Sequence, residues 1–269
     1  MTGFSADWLA LREPHDTRAR NPTVLDAVVA SLAGNTSIRI VDLACGTGST
    51  MRALAPRFPT GQNWRLVDND LSLLARASAV ARPVGVALTT VPIDLNHDLE
   101  AALDGPVDLV TTSALLDLVS EAWLDRLAVE TLARSIPLYA ALSYDGRIAL
   151  TPSDPLDTAI AAAVNAHQRT DKGFGPALGP AAAGYAIARF EALGYSVVQG
   201  ESDWMLGPND HDMQSEVLTG WAGAAHDIGA MSLADTTAWL ARRRDAVAAG
   251  SSSLRVGHVD FFAIPSGTR

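Results

Sequence analysis

The sequence predicts an α/β fold, a doubly wound and mostly parallel seven-stranded sheet with helices on both faces. Three observations predict it. Apolar, β-branched runs alternate with helical stretches along most of the chain, the first run ends in a glycine-bearing bend, and the second ends in a carboxylate, Asp68.

Residues 6–32 carry apolar positions such as Val24, Leu25, Val28, Val29 and Leu32 at helical spacing, interrupted by Pro14 and Pro22, which predicts two helices. A turn at 35–37 leads into the strand Ile38-Arg39-Ile40-Val41-Asp42-Leu43, then the bend Ala44-Cys45-Gly46-Thr47-Gly48-Ser49 and a helix near 50–55. Strands follow at 63–67, 86–91, 107–112 and 138–144, separated by helices at 71–80, 99–103 and 121–135. Crossovers of that length join parallel neighbours, because a hairpin would need only a tight turn. The last third is less regular: helices at 159–167, 181–193, 214–228 and 233–248, one strand within 195–206 and a closing strand at 254–264.

Composition narrows the class. With 269 residues, 48% hydrophobic and 19% charged, the chain has room and apolar surface for one large α/β domain with an elaboration. A single cysteine, Cys45, excludes an internal disulfide and a thiolate metal cluster, and fits a reducing compartment. No basic leader and no run of about 20 apolar residues is present, so the expected location is cytoplasmic, with no membrane partner. A net charge of -10 repels phosphate backbones, which argues against nucleic acid as a partner. The run Arg242-Arg243-Arg244 reads as a solvated helix face.

The bend at 44–49 carries the chemistry. Small residues let the backbone approach a ligand where a side chain would collide. A dinucleotide fingerprint needs a third glycine where this chain has Met51, and a P-loop needs a Gly-Lys-Ser/Thr that is absent. The acid followed by small-x-Gly-x-Gly instead resembles motif I of the class I S-adenosylmethionine-dependent methyltransferases, with Ala44 in place of the usual first glycine. Asp68, about twenty residues past Gly48, is placed to accept both ribose hydroxyls of a nucleoside.

The resemblance, over residues 35–150, implies a Rossmann-like domain whose last strand is antiparallel. It implies S-adenosylmethionine (SAM) as methyl donor and S-adenosylhomocysteine as product. Ala44, Gly46 and Gly48 would line its aminoacyl and ribose part, and Asp42 would organise its ammonium group. Asn69 would lie along the adenine, Asp94 would accept from the adenine amino group, and the Leu95 amide would reach the ring. The fourth strand resembles motif IV, so Thr112, Ser113, Ala114 and Asp117 would stand nearest the transferable methyl.

Residues 1–34 are expected as a helical cover and 35–269 as the SAM-binding domain. Arg20 or Arg18 would pair with the SAM carboxylate. The link 207–253 between the last two strands is long for this fold and predicts a helical cap carrying His211, Trp221 and His226; a side pack or dimer face is the alternative. Candidate catalytic residues are His167 as base, with Asp117 and Tyr144 at the strand ends and Asp145 beside them. Asp117, Asp145 and Asp154 do not reproduce the spacing of the metal-dependent catechol enzymes, so no metal is expected. The reading is methyl transfer to a small-molecule acceptor by in-line displacement, with a homodimer left open. The alternatives are a protein methyltransferase and a catalytically silent SAM-fold binding protein. A nicotinamide-dependent oxidoreductase is disfavoured by Met51 and by the lack of a Tyr-x-x-x-Lys pair.

Overall fold

The computed structural model describes residues 4–59, 61–80 and 84–267. Two helices open the chain, α1 (Ala6–Ala19) and α2 (Pro22–Ser31). Pro14 does not end the first one: α1 runs through it, and the break falls at Arg20 and Asn21. Pro22 occupies the first turn of α2, where its missing N–H costs nothing, and the Asn21 side chain caps that turn by accepting from Val24 N at 3.2 Å.

Then come β1 (Ile38–Leu43), α3 (Ser49–Leu54), β2 (Gln62–Asp68), α4 (Leu71–Ala79), β3 (Val86–Pro92), α5 (Leu99–Ala102), β4 (Leu109–Ser113) and α6 (Glu121–Ala133). They are followed by β5 (Leu138–Thr151), α7 (Asp157–His167), α8 (Ala182–Ala192), β6 (Tyr195–Glu201), β7 (Trp204–Leu206), α9 (His211–Asp227), α10 (Leu233–Ala248) and β8 (Ser253–Pro265). The strand order is β3-β2-β1-β4-β5-β8-β6, with β7 also paired to β8. β1 to β5 are parallel, and β8 runs antiparallel to both β5 and β6.

The sheet therefore has eight strands where the sequence predicts seven. The added one comes from division of the 195–206 run. β6 and β7 keep one register against β8, Glu201 opposite Val259 and Trp204 opposite Val256. The ladder is interrupted between them, where the Asp203 carboxylate accepts from His258 N at 3.1 Å. β5 also exceeds its expected end at 144, continuing to Thr151 along β8 through two register shifts.

One core packs α5, α6 and α8 on one face of the sheet, and a second packs α2, α3 and α4 on the other. A third cluster joins Trp8 and Leu11 of α1 to α7, α9, α10 and the ends of β5, β7 and β8. The segment 207–253 thus folds as two helices packed on α7 and α1. Of its expected pocket residues, Trp221 is buried, while His211 and His226 are exposed. The arginine run is not merely solvated: Arg242 pairs with Asp154, and buried Arg243 reaches Asp157 and the Pro152 carbonyl. No helix among the described residues is long and apolar enough to cross a membrane.

Candidate functional site

The carboxyl ends of β1, β2 and β4 meet around the bend at 44–48. Three of its residues are left-handed: Ala44 (φ 53°), Gly46 (φ 54°) and Gly48 (φ 83°). At Gly48 a Cβ would stand 3.2 Å from Leu66 Cδ1, so glycine answers both the backbone conformation and the space. Ala44 adopts the same region without glycine's freedom, which strains it. Ala44→Gly is accordingly expected to stabilise the protein by about 0.5–1 kcal/mol in urea denaturation; a destabilised variant would show that the bend is unstrained.

Asp68 ties this bend to the tip of β2. Its Oδ2 accepts from Gly46 N at 2.8 Å and its Oδ1 from Asp70 N at 3.0 Å. Asp70 in turn caps α4 through Ser72 N and Leu73 N. Above the bend lies α1: Leu9 Cδ1 is 3.1 Å from where a Gly46 Cβ would be, and Glu13 makes a bidentate pair with Arg52 of α3, both contacts 2.6 Å.

Asp42 is buried on β1. Thr111 Oγ1 donates to its Oδ1 at 2.8 Å, while Oδ2 has no hydrogen-bond partner. Burial pushes its pKa up to about 7, against the opposing pull of Thr111, Arg20 and Arg52. Arg20 is buried beside it, donating to Tyr139 Oη at 3.2 Å and Ser113 Oγ at 3.4 Å, with Nε unpartnered. Thr112 spends its hydroxyl on the Leu43 carbonyl, 3.1 Å away.

Asn69 is exposed just past β2. Asp94, also exposed, turns its carboxylate onto its own loop, accepting from Asn96 N at 2.9 Å and lying 3.0 Å from His97 Nδ1; the His97 contact helps hold it below the usual carboxylate range. Leu95 is buried, and its carbonyl accepts from Trp123 Nε1 at 2.7 Å. Cys45 is a buried thiol kept protonated, since burial and the nearby Asp42 and Asp68 disfavour the thiolate.

A second group gathers past β4. Asp117, in the 3₁₀ turn Leu116–Leu118, is 5% exposed and its Oδ1 has no partner. Burial raises its pKa to about 6, although backbone amides, Arg12 and Lys172 favour the ionised form. Tyr144 donates to Asn165 Oδ1 at 2.7 Å, and burial raises its phenol further from ionisation. His167 ends α7 with Nδ1 3.3 Å from Lys172 Nζ; burial and that ammonium lower its pKa. Asp145 is taken by Arg147, and Asp154 by Arg242.

Sequence reasoning assigned no role to two residues here. Arg12 lies over the Trp204 ring, 4.9 Å from its centroid, and is held by Asp16, which also accepts from Trp204 Nε1 at 2.9 Å. His258 is buried between the Tyr144 and Trp204 rings with Nδ1 unpartnered, and burial lowers its pKa to about 3. Its only advance signal is a polar residue on the core-facing side of the last strand. A groove of about 340 Å³ along Gly61, Asn63 and Ala87 lies at the opposite, amino-terminal ends of β2 and β3 and contains none of these groups.

Residues 40–135 match the methyltransferase domain family. Trans-aconitate 2-methyltransferase of Streptomyces avermitilis is 37% identical over 131 residues, which are 45% of this chain and 47% of that protein. The chain thus spans about half the length of the curated relative it matches. In fold it is similar to a cyclopropane-fatty-acyl-phospholipid synthase-like protein from Lactobacillus casei, with TM-score 0.55 and 12% identity over 97% of this chain and 95% of that one. A cyclopropane synthase from Mycobacterium tuberculosis gives TM-score 0.51 at 11% identity, covering 97% and 94%. The acid Asp42, the small-residue bend and the carboxylate of Asp68 that clamps it all lie within the segment that matches the methyltransferase domain family.

Proposed function

We propose that this protein transfers a methyl group from SAM to a small-molecule acceptor and releases S-adenosylhomocysteine. The observation that carries this reading is the bend at 44–48, poor in side chains and held to the tip of β2 by the Gly46–Asp68 hydrogen bond. The residues fit the donor. Gly46 and Gly48 give the bend no side chains of its own, Asp68 would take the ribose hydroxyls, and Asn69, Asp94 and Leu95 would flank the adenine side. Asp42 offers an unpartnered buried oxygen to an ammonium group, and Arg20, beside Ser113, offers a cation to a carboxylate.

When bound, SAM supplies an electrophilic methyl carbon. The chain's task is then to align the acceptor in line with it and to exclude water. Asp117 stands past β4 with a free carboxylate oxygen and a pKa close to neutrality, suited to receive a proton from an acceptor that carries one. The helices of 207–253 and α1 close this side, with Trp221, Tyr144, Trp204 and His258 between them. The name of the Streptomyces relative makes small organic acids the first acceptors to test. A single buried thiol fits work in the reducing cytoplasm.

Calorimetry with SAM, S-adenosylhomocysteine and NAD(P) tests the donor, and a screen with labelled SAM tests transfer. Burial lifts the Asp42 pKa to about 7, and a cationic ligand favours its ionised form. SAM binding near pH 7 is therefore expected to release protons, read as buffer-dependent binding heat. Heats that do not vary with buffer would remove the Asp42 assignment, and binding of NAD(P) in place of SAM would overturn the reading.

A further inference from the structure

The two candidate proton acceptors of the site, His167 and Asp117, come under one cation. The loop after α7 folds on itself through Asp171, whose Oδ1 accepts from Gly173 N at 2.7 Å and Gly175 N at 3.1 Å. It is then laid against the segment that follows β4. Phe174 packs edge-on to Trp123 with centroids 5.5 Å apart, and Leu178 N donates to the Val119 carbonyl at 2.8 Å. Lys172 is thereby half-buried, its Nζ 2.9 Å from Thr170 Oγ1 and 3.3 Å from His167 Nδ1, with Asp117 close enough to feel its charge.

An ammonium can only donate. The imidazole nitrogen facing it must accept, so the neutral ring carries its proton on Nε2. A neutral imidazole has one basic lone pair, and here Lys172 occupies it. We propose that Lys172 is a positioning residue that fixes His167 as an Nε2–H hydrogen-bond donor to the acceptor and leaves Asp117 as the proton acceptor of the site.

This inference rests on the acceptor side proposed above. The charged groups facing His167 are Lys172 and, from α9, Asp227; those facing Asp117 are Arg12 from α1 and Lys172. Asp117 and Asp227 both favour the ionised form of Lys172, against its burial.

The test is ¹⁵N and ¹H NMR of the His167 ring in the free protein, for wild type, Lys172→Met and Lys172→Arg, across pH 4–9 as roughly the range that spans an imidazole midpoint. The expected result is the Nε2–H tautomer in wild type. In Lys172→Met the midpoint should rise by about one pH unit, because the cation that opposed protonation is gone, and in Lys172→Arg it should stay near the wild-type value. An Nδ1–H tautomer in wild type, or an unmoved midpoint in a folded Lys172→Met, would overturn the proposal. Calorimetry with SAM on the same samples reads the donor site separately, so failure of the methyl-transfer reading would not be confused with failure of this one.

Discussion

Asp260→Ala is expected to destabilise the protein by about 3–5 kcal/mol, the range for breaking a buried charged network by removing one partner. Asp260 has no exposed surface and holds three donors: Leu142 N at 2.8 Å on Oδ1, and Asn21 N at 3.0 Å and Tyr139 Oη at 3.1 Å on Oδ2. Tyr139 Oη in turn accepts from Arg20, which is also buried. Without the carboxylate, an arginine charge and two backbone amides remain inside with fewer partners, and the Leu142 amide lies at a left-handed residue (φ 54°) that is already strained. Urea denaturation checks this, and a loss below about 1 kcal/mol would mean that water replaces the carboxylate at little cost. The consequence extends to function, because the same network carries Arg20 to Ser113.

Asp68→Ala is expected to weaken SAM binding by about a hundredfold or more, close to 3 kcal/mol, from the loss of charge-assisted hydrogen bonds to a ribose. The structure adds a second contribution. Asp68 also holds Gly46 N and Asp70 N, so its loss frees the bend as well as the sugar contact. Asp68→Asn separates the two: it keeps an oxygen for one amide but loses the charge, and an intermediate affinity is expected. Calorimetry on variants shown by circular dichroism to be folded makes the measurement. Unchanged affinity in folded Asp68→Ala would remove the ribose assignment.

The parallel half of the sheet was legible because its signals are local. β1 and β3 announce themselves through adjacent β-branched residues, β2 through the apolar Trp64, Leu66 and Val67 leading up to Asp68, and the bend through two glycines and small neighbours. Asp42 and Asp68 could be placed for the same reason, since a residue at the end of a strand stays at that edge whatever covers it. Pro14 misled, because a proline disfavours a helix interior without forbidding it, and α1 packs over the bend and β7 on both sides of that residue. The far reach of β5 and the division of 195–206 were hidden because both depend on β8, a strand over a hundred residues away from the first of them in the chain.

By itself the sequence determined the order of strands and helices through β5, the side-chain-poor bend after β1 and the carboxylate at the tip of β2, because each follows from neighbours a few residues apart. Only the tertiary structure decided that β8 enters between β5 and β6, that Asp260 gathers Asn21 and Tyr139 and through Tyr139 Arg20, and that Lys172 meets His167 within reach of the Asp117 charge. Burial, charge state and hydrogen-bond partnership are sums over groups from distant segments, and no local pattern encodes which segment will cover which.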